Sequence, residues 1–188
     1  MTLSKESMRK EIQLHLGSID EDKKKKWNNA ISKNISQLFS DFSLSIHDLI
    51  GAFAPMSDEI DWIFNFQEKD YNFAFPGIKN KKMSFFKSRY TQLELKNDFG
   101  AKIQVPPKNS EEAIPSILLI PGIAFSKDGN RLGRGKGFYD RYLSKFTGIK
   151  VGLCYEVQIK ESLPTEGHDQ RVDYIITPNG MINCKEEG

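Results

Sequence analysis

Met8, Ile12, Leu16 and Ile19 recur at steps of four, four and three, the stripe of a helix near the start of the chain. A second stripe follows in Trp27, Ile31, Ile35, Leu38 and Phe42. Its start is predicted at "SIDE", where Ser18 and Glu21 have the spacing of a capping box. Shorter apolar runs then take over. "LIGAFAP" (49–55), "YNFAFP" (71–76), "MSFFK" (83–87), "ILLIPGIAF" (117–125), "IKVGLCY" (149–155) and "VDYIIT" (172–177) read as strands. "DEIDWIFNF" (58–66) and "GFYDRYLSKF" (137–146) read as short helices. Apolar strands alternating with helices predict an α/β fold on a mostly parallel sheet. The expected architecture is three-layer and Rossmann-like, a sheet flanked by helices in a single domain.

Composition narrows the picture. A chain of 188 residues suits one unit over 1–188. Hydrophobic residues at 38% and charged residues at 28% are globular proportions. A net charge of +2 gives no electrostatic argument for nucleic acid or an acidic membrane. No apolar run approaches a membrane span, and the charged "MTLSKESMRKEIQ" has no apolar signal core. Cys154 and Cys184 make no metal spacing. A reduced, cytoplasmic protein is expected, with Cys154 an inert thiol inside an apolar run. Lys23 to Lys26 read as a solvated helix face.

One stretch carries chemistry. "RLGRGKGFYD" (131–140) places Arg131, Arg134 and Lys136 among three glycines, between a strong strand signal and a helix. In α/β folds ligands gather there, at the carboxyl ends of strands. Glycine lets backbone approach an anion closely, and the amides that open a helix suit phosphate. Without an anion the three cations repel one another. A P-loop needs Gly at 130 and Ser or Thr at 137, where this chain has Asn130 and Gly137. A dinucleotide fingerprint fails at Phe138. Asp140 beside a phosphate is useful when Mg²⁺ lies between the two; complementing the helix dipole is its simpler role. Lys5 and Arg9 fall on the apolar arc of the first helix, where an anion nearby offsets their repulsion and lost hydration; side chains snorkelling to water are the alternative.

The block "PGIAFSKDGNRLGRGKGFYDRYL" (121–143), followed by "LPTEGHDQRVDYIIT" (163–177), resembles the signature of the 5-formyltetrahydrofolate cyclo-ligases, also called 5,10-methenyltetrahydrofolate synthetases. "KESMR" (5–9) resembles that family's N-terminal Lys/Arg pair, and "MSDEID" (56–61) its folate loop. The resemblance implies ATP- and Mg²⁺-dependent closure of 5-formyltetrahydrofolate to 5,10-methenyltetrahydrofolate, with release of ADP and phosphate. It implies ATP contacts from Lys5, Arg9, Arg131, Leu132, Gly133, Arg134, Gly135, Lys136, Gly137, Phe138 and Tyr139. Folate contacts are implied for Ala54, Glu59, Arg134, Gly135, Lys136, Gly137 and Phe138, with Tyr139 and Phe86 or Tyr90 as packing partners for the pterin. Arg134 and Lys136 would face the transferred phosphoryl group, and Asp140 and Asp173 would hold Mg²⁺.

Ser126, Val105 and Phe138 depart from the family pattern, which has Asp, Glu and commonly Tyr there. His168 and Asp169 are read as structural, because the implied reaction needs no histidine base. A monomer acting on small molecules is expected, with no nucleic acid or membrane partner. Two other readings are a different nucleotide-dependent enzyme on a similar scaffold and an RNA-binding module using Lys23–Lys26, "KNKK" (79–82) and "MSFFKSRY". The aromatics of that last stretch fit a strand core better than a stacking surface.

Overall fold

The structure is a computed structural model and describes residues 4–66, 71–79, 81–98 and 101–185. Two helices come first, α1 (Lys5–Gly17) and α2 (Glu21–Asp41). Strands follow as β1 (Leu49–Gly51), the hairpin β2 (Asn72–Lys79) and β3 (Lys82–Lys87), a second hairpin of β4 (Glu94–Asp98) and β5 (Ala101–Val105), and the short β6 (Glu112–Ala113). Next come β7 (Ile117–Pro121), β8 (Ala124–Ser126) and β9 (Arg131–Leu132), then the six-residue α3 (Phe138–Leu143). The remaining strands are β10 (Ile149–Leu153), β11 (Ile159–Lys160), β12 (Tyr174–Thr177) and β13 (Gly180–Asn183).

The main sheet runs β13-β12-β10-β7-β1-β2-β3-β6. Its middle, from β12 to β2, is parallel throughout. Antiparallel β13 closes one edge, and β3 and β6 close the other. The parallel strands are apolar on both faces because both faces are covered. Ile117, Leu119, Val151 and Ile176 pack with Ile12, Leu16, Ile31 and Ile35 of α1 and α2. Leu118, Ile120 and Ile175 pack on the other face with Leu143, Phe146 and Phe125. The layered α/β expectation therefore holds. The second face, however, is covered by the short α3 and a small sheet of order β11-β8-β9.

Several boundaries differ from the sequence reading. Ser18 does not cap α2; its Oγ donates to His15 O at 2.7 Å and so belongs to the end of α1. Asp20 caps α2 instead, accepting from the amides of Asp22 and Lys23. "ILLIPGIAF" is two strands in two sheets. Pro121 offers no N–H to continue the ladder, and the chain leaves the main sheet there. The segment 58–66 is irregular, with one 3₁₀ turn at Ile63–Phe66. Trp62 is buried in it, with Nε1 donating to Phe53 O at 3.2 Å. The helix expected over 137–146 ends at Leu143 and continues as single turns. Phe99 and Gly100 of "FGAKIQVPP", and Asn80 of "KNKK", lie outside the described residues.

Candidate functional site

Where β1 and β7 end, the parallel sheet opens into a cleft of about 240 Å³. Phe53, Ala54, Met56 and Glu59 form one wall, after β1. Pro121 and Gly122, at the end of β7, form the floor. Pro76, Ile78 and Met83 reach it from the β2–β3 hairpin, and Lys96, Ile103, Gln104 and Val105 from β4–β5. The fourth wall is the glycine loop itself: Arg131 and Gly133 through Asp140.

The loop is shaped by its glycines. Gly135 and Gly137 have φ of +90° and +65°, a left-handed backbone that side chains resist. Arg9 of α1 supports the loop from outside the cleft. Its Nε donates to Gly133 O at 2.7 Å, and its guanidinium lies 3.4–3.6 Å from where a Cβ on Gly135 would stand. Arg131 is anchored by Pro121 O at 3.3 Å and by Asp140 Oδ1 at 2.8 Å, and its side chain is only 3% exposed.

Arg134 reaches across the cleft to the loop after β1. Its Nη2 donates to Asp58 at 2.6 Å and to Glu59 Oε1 at 3.1 Å, and its Nε donates to the same oxygen at 3.2 Å. Glu59 Oε2 accepts the Met56 amide at 3.1 Å. Burial raises the Glu59 pKa more than Arg134 and the Met56 N–H lower it. Tyr139 is also pushed upward, first by burial and then by the Glu59 charge.

The structure therefore assembles Ala54, Glu59, Arg131, Gly133, Arg134, Gly135, Lys136, Gly137, Phe138, Tyr139 and Asp140 around one space. Leu132 belongs to the core beneath, 2% exposed. Lys5 and Arg9 are outside the lining. Lys5 is paired with Asp169 at 2.6 Å and Glu166 at 3.5 Å, so the protein supplies an anion for Lys5, while Arg9 meets a backbone carbonyl. That contact supports the structural reading of Asp169, while His168 is 69% exposed beside it. Glu166, His168 and Asp169 place ligand atoms within 4.8 Å of one another, but the Lys5 ammonium already holds Asp169.

Asp140 and Asp173 are not brought together as a metal pair. Asp173 precedes β12 and lies at the amino-terminal end of the parallel strands, opposite the cleft. It accepts the Lys150 amide at 2.8 Å and faces Lys185 Nζ at 3.2 Å. Phe86 and Tyr90 are likewise absent from the lining. Val105, at the position where the family pattern has Glu, does line the cleft. Ser126 is buried, and its hydroxyl donates to Asp128, so it serves the β8–β9 turn. Sequence reasoning missed Asp58 and the apolar lining from the two hairpins.

Comparison with known proteins agrees with this picture. The model of the 5-formyltetrahydrofolate cyclo-ligase family matches residues 1–178. A 5-formyltetrahydrofolate cyclo-ligase from Haemophilus influenzae is 46% identical over 80 residues, 39% of this chain and 42% of that protein. The Mus musculus enzyme of the same name is 38% identical over 76 residues, 35% of this chain and 37% of the other. The matched stretches thus span less than half of these relatives' lengths. A 5,10-methenyltetrahydrofolate synthetase from Aquifex aeolicus has a similar structure, with a TM-score of 0.82 and 26% identity over 99% of this chain and 95% of that one.

Proposed function

The chain belongs to the 5-formyltetrahydrofolate cyclo-ligase family, and from that premise we propose that it closes 5-formyltetrahydrofolate to 5,10-methenyltetrahydrofolate at the expense of ATP. The observation that carries the reading is the placement of Glu59 and the cationic glycine loop on facing walls of one cleft. A carboxylate can accept two parallel N–H bonds from an aminopyrimidine edge, and the loop offers amides and cations to phosphate.

The chemistry follows from a leaving-group problem. The N5-formyl oxygen is a poor leaving group, and phosphorylation makes it a good one. The formyl oxygen takes the γ-phosphoryl group of ATP and ADP departs. N10 then attacks the activated carbon and gives up its proton, and phosphate leaves with the C–O bond electrons. Such transfer depends on positioning and charge neutralisation more than on a covalent nucleophile. Lys136 and Arg134, both on the cleft wall, would meet the phosphoryl group, the latter after exchanging Glu59 for phosphate. Arg9 fixes the loop from behind. Of the two proposed Mg²⁺ ligands, Asp140 fits, with Oδ1 on Arg131 and its carboxylate on the cleft wall. The ion would neutralise phosphate charge there. Asp173, engaged by Lys150 and Lys185, does not fit the same ion.

The test is direct. Protein, MgATP and 5-formyltetrahydrofolate are mixed, and the near-ultraviolet absorbance of the methenyl product is followed. Product is expected only when ATP, Mg²⁺ and the formyl folate are all present. Its absence with demonstrably folded protein overturns the proposal.

A further inference from the structure

Two buried donors in the cleft wall have nothing to receive them. The Tyr139 hydroxyl and Arg131 Nε are both buried and without a hydrogen-bond partner among the described residues. Both residues line the cleft, and the Arg131 guanidinium lies 5.5 Å from the Tyr139 ring centroid. Its other nitrogens are already committed to Pro121 and Asp140. Buried polar groups in native folds are nearly always paired, so an unpaired donor needs an explanation. Burial and the nearby Glu59 charge keep the phenol protonated at physiological pH, and therefore a donor.

The same cleft also holds acceptors. Glu59 lines the same cleft, with Oε2 on the Met56 amide and Oε1 shared with Arg134. Each carboxylate oxygen has more than one acceptor site. Asp58, at 2.6 Å, can keep Arg134 when Glu59 takes another partner. The wall thus offers a donor beside a pair of acceptors. Its complement is an edge with one acceptor followed by two donors: the carbonyl, ring N–H and amino group of a fused 2-amino-4-oxopyrimidine.

Resting on the folate reading of this site, we propose that Tyr139 selects the 4-oxo form of the pterin, its hydroxyl donating to the ring carbonyl while Glu59 accepts from the adjacent N–H and amino group. Seating the ring requires the side chain to move so that its covered hydroxyl meets the carbonyl. Arg131 Nε stands behind as a second donor. Tyr139 is then a specificity residue for folate rather than a nucleotide contact.

The test measures binding without ATP, so that no turnover intervenes. Calorimetry compares 5-formyltetrahydrofolate with its 2,4-diamino counterpart on the wild type and on Tyr139→Phe. The wild type is expected to prefer the 4-oxo ligand by at least about tenfold, and Tyr139→Phe to narrow that preference by about tenfold. A ratio unchanged within about twofold overturns the inference and leaves the proposed function standing. Binding of neither ligand by the wild type overturns both. Guanosine presents the same edge without the reduced pterin, and its binding as tightly as the folate overturns the choice of ligand. Melting of the ligand-free variant separates recognition from structure. No hydrogen bond is lost there, so Tyr139→Phe should melt at the wild-type temperature or above. A fall beyond about 3 °C, the scale of one lost interaction in a chain this size, would give the hydroxyl a structural partner and overturn the assignment.

Discussion

Two carboxylate–cation pairs, Lys5 with Asp169 and Arg134 with Glu59, differ in how fully each is satisfied. Asp169 and Glu59 both have side chains 14% exposed. Burial raises the Asp169 pKa, but the Lys5 ammonium at 2.6 Å and the Glu166 amide at 2.7 Å outweigh it, and the carboxyl is held below its usual range. Burial of Glu59 wins over Arg134, and that carboxyl is raised. Arg134 is divided between two carboxylates, is closer to Asp58 than to Glu59, and leaves Glu59 with a like charge beside it. A satisfied pair is a structural joint: Lys5 ties α1 to the segment around Asp169. An undersatisfied pair beside unpaired donors is a seat that a ligand completes. Two carboxylates of equal exposure, each paired with a cation, therefore point to different work.

The largest test of that difference removes charge from the loop. Lys136→Met keeps the aliphatic stem and deletes the ammonium. Its kcat is expected to fall about 10²–10³-fold, with much smaller changes in folate and ATP affinity, because the interaction should be strongest in the transition state. Arg134→Met should act similarly, and the double variant should lose less than the product of the two. Steady-state kinetics with both substrates varied checks this. Weakened ATP binding at unchanged kcat would make Lys136 a ground-state clamp.

Asp140 belongs to both kinds of region, since it faces the cleft yet anchors a buried arginine. Asp140→Asn keeps an acceptor for Arg131 but loses its charge. Folding should cost on the order of 1–3 kcal/mol by urea titration, more than dipole complementarity alone, about 0.3–1 kcal/mol, would give. The Mg²⁺ concentration for half-maximal rate should rise as well. An unaltered metal requirement would leave Asp140 as the partner of Arg131 and no more.

At the joint, Lys5→Met and Asp169→Asn should each cost about 1.5–3 kcal/mol of stability. The double variant should cost little more than either single one, as expected for two members of one contact. Unfolding midpoints for the four proteins measure this. Additive losses would mean that Lys5 has a second role, such as the ATP contact that resemblance assigns to it.

The loop was legible in the sequence because cations and glycines are concentrated in a few residues there. The central strands were legible because burial on both faces leaves continuous apolar runs such as "ILLI". Pro121 shows where that signal ends, since its run carries on past the point at which the ladder stops. The apolar cleft lining was hidden for the same reason: Phe53, Pro76, Ile78 and Met83 look like core in any linear reading. The β4–β5 hairpin did leave a trace, with Leu93, Leu95, Ile103 and Val105 alternating around Asn97, Asp98 and Gly100. Asp173 entered through the family resemblance alone, and a linear match does not say which end of the sheet a carboxylate occupies; here it accepts the Lys150 amide and faces Lys185.

The smallest effect is also the sharpest on the comparison, because the two pairs should give stability limbs of opposite slope. Asp169 has its pKa lowered by folding. Its stabilisation is present above the ordinary value of 3.8 and is lost as pH falls through the lower native value. Glu59 has its pKa raised. Between the ordinary 4.5 and the higher native value the folded protein binds more protons than the unfolded chain, so stability declines as pH rises through that window. Urea unfolding from about pH 3 to 8 should show both limbs. Asp169→Asn should flatten the acidic one and Glu59→Gln the upper one. If Glu59→Gln leaves the upper limb in place, Arg134 satisfies Glu59 in solution as fully as Lys5 satisfies Asp169. Both pairs would then be joints, and only the unpaired donors of Tyr139 and Arg131 would mark the cleft as a ligand seat.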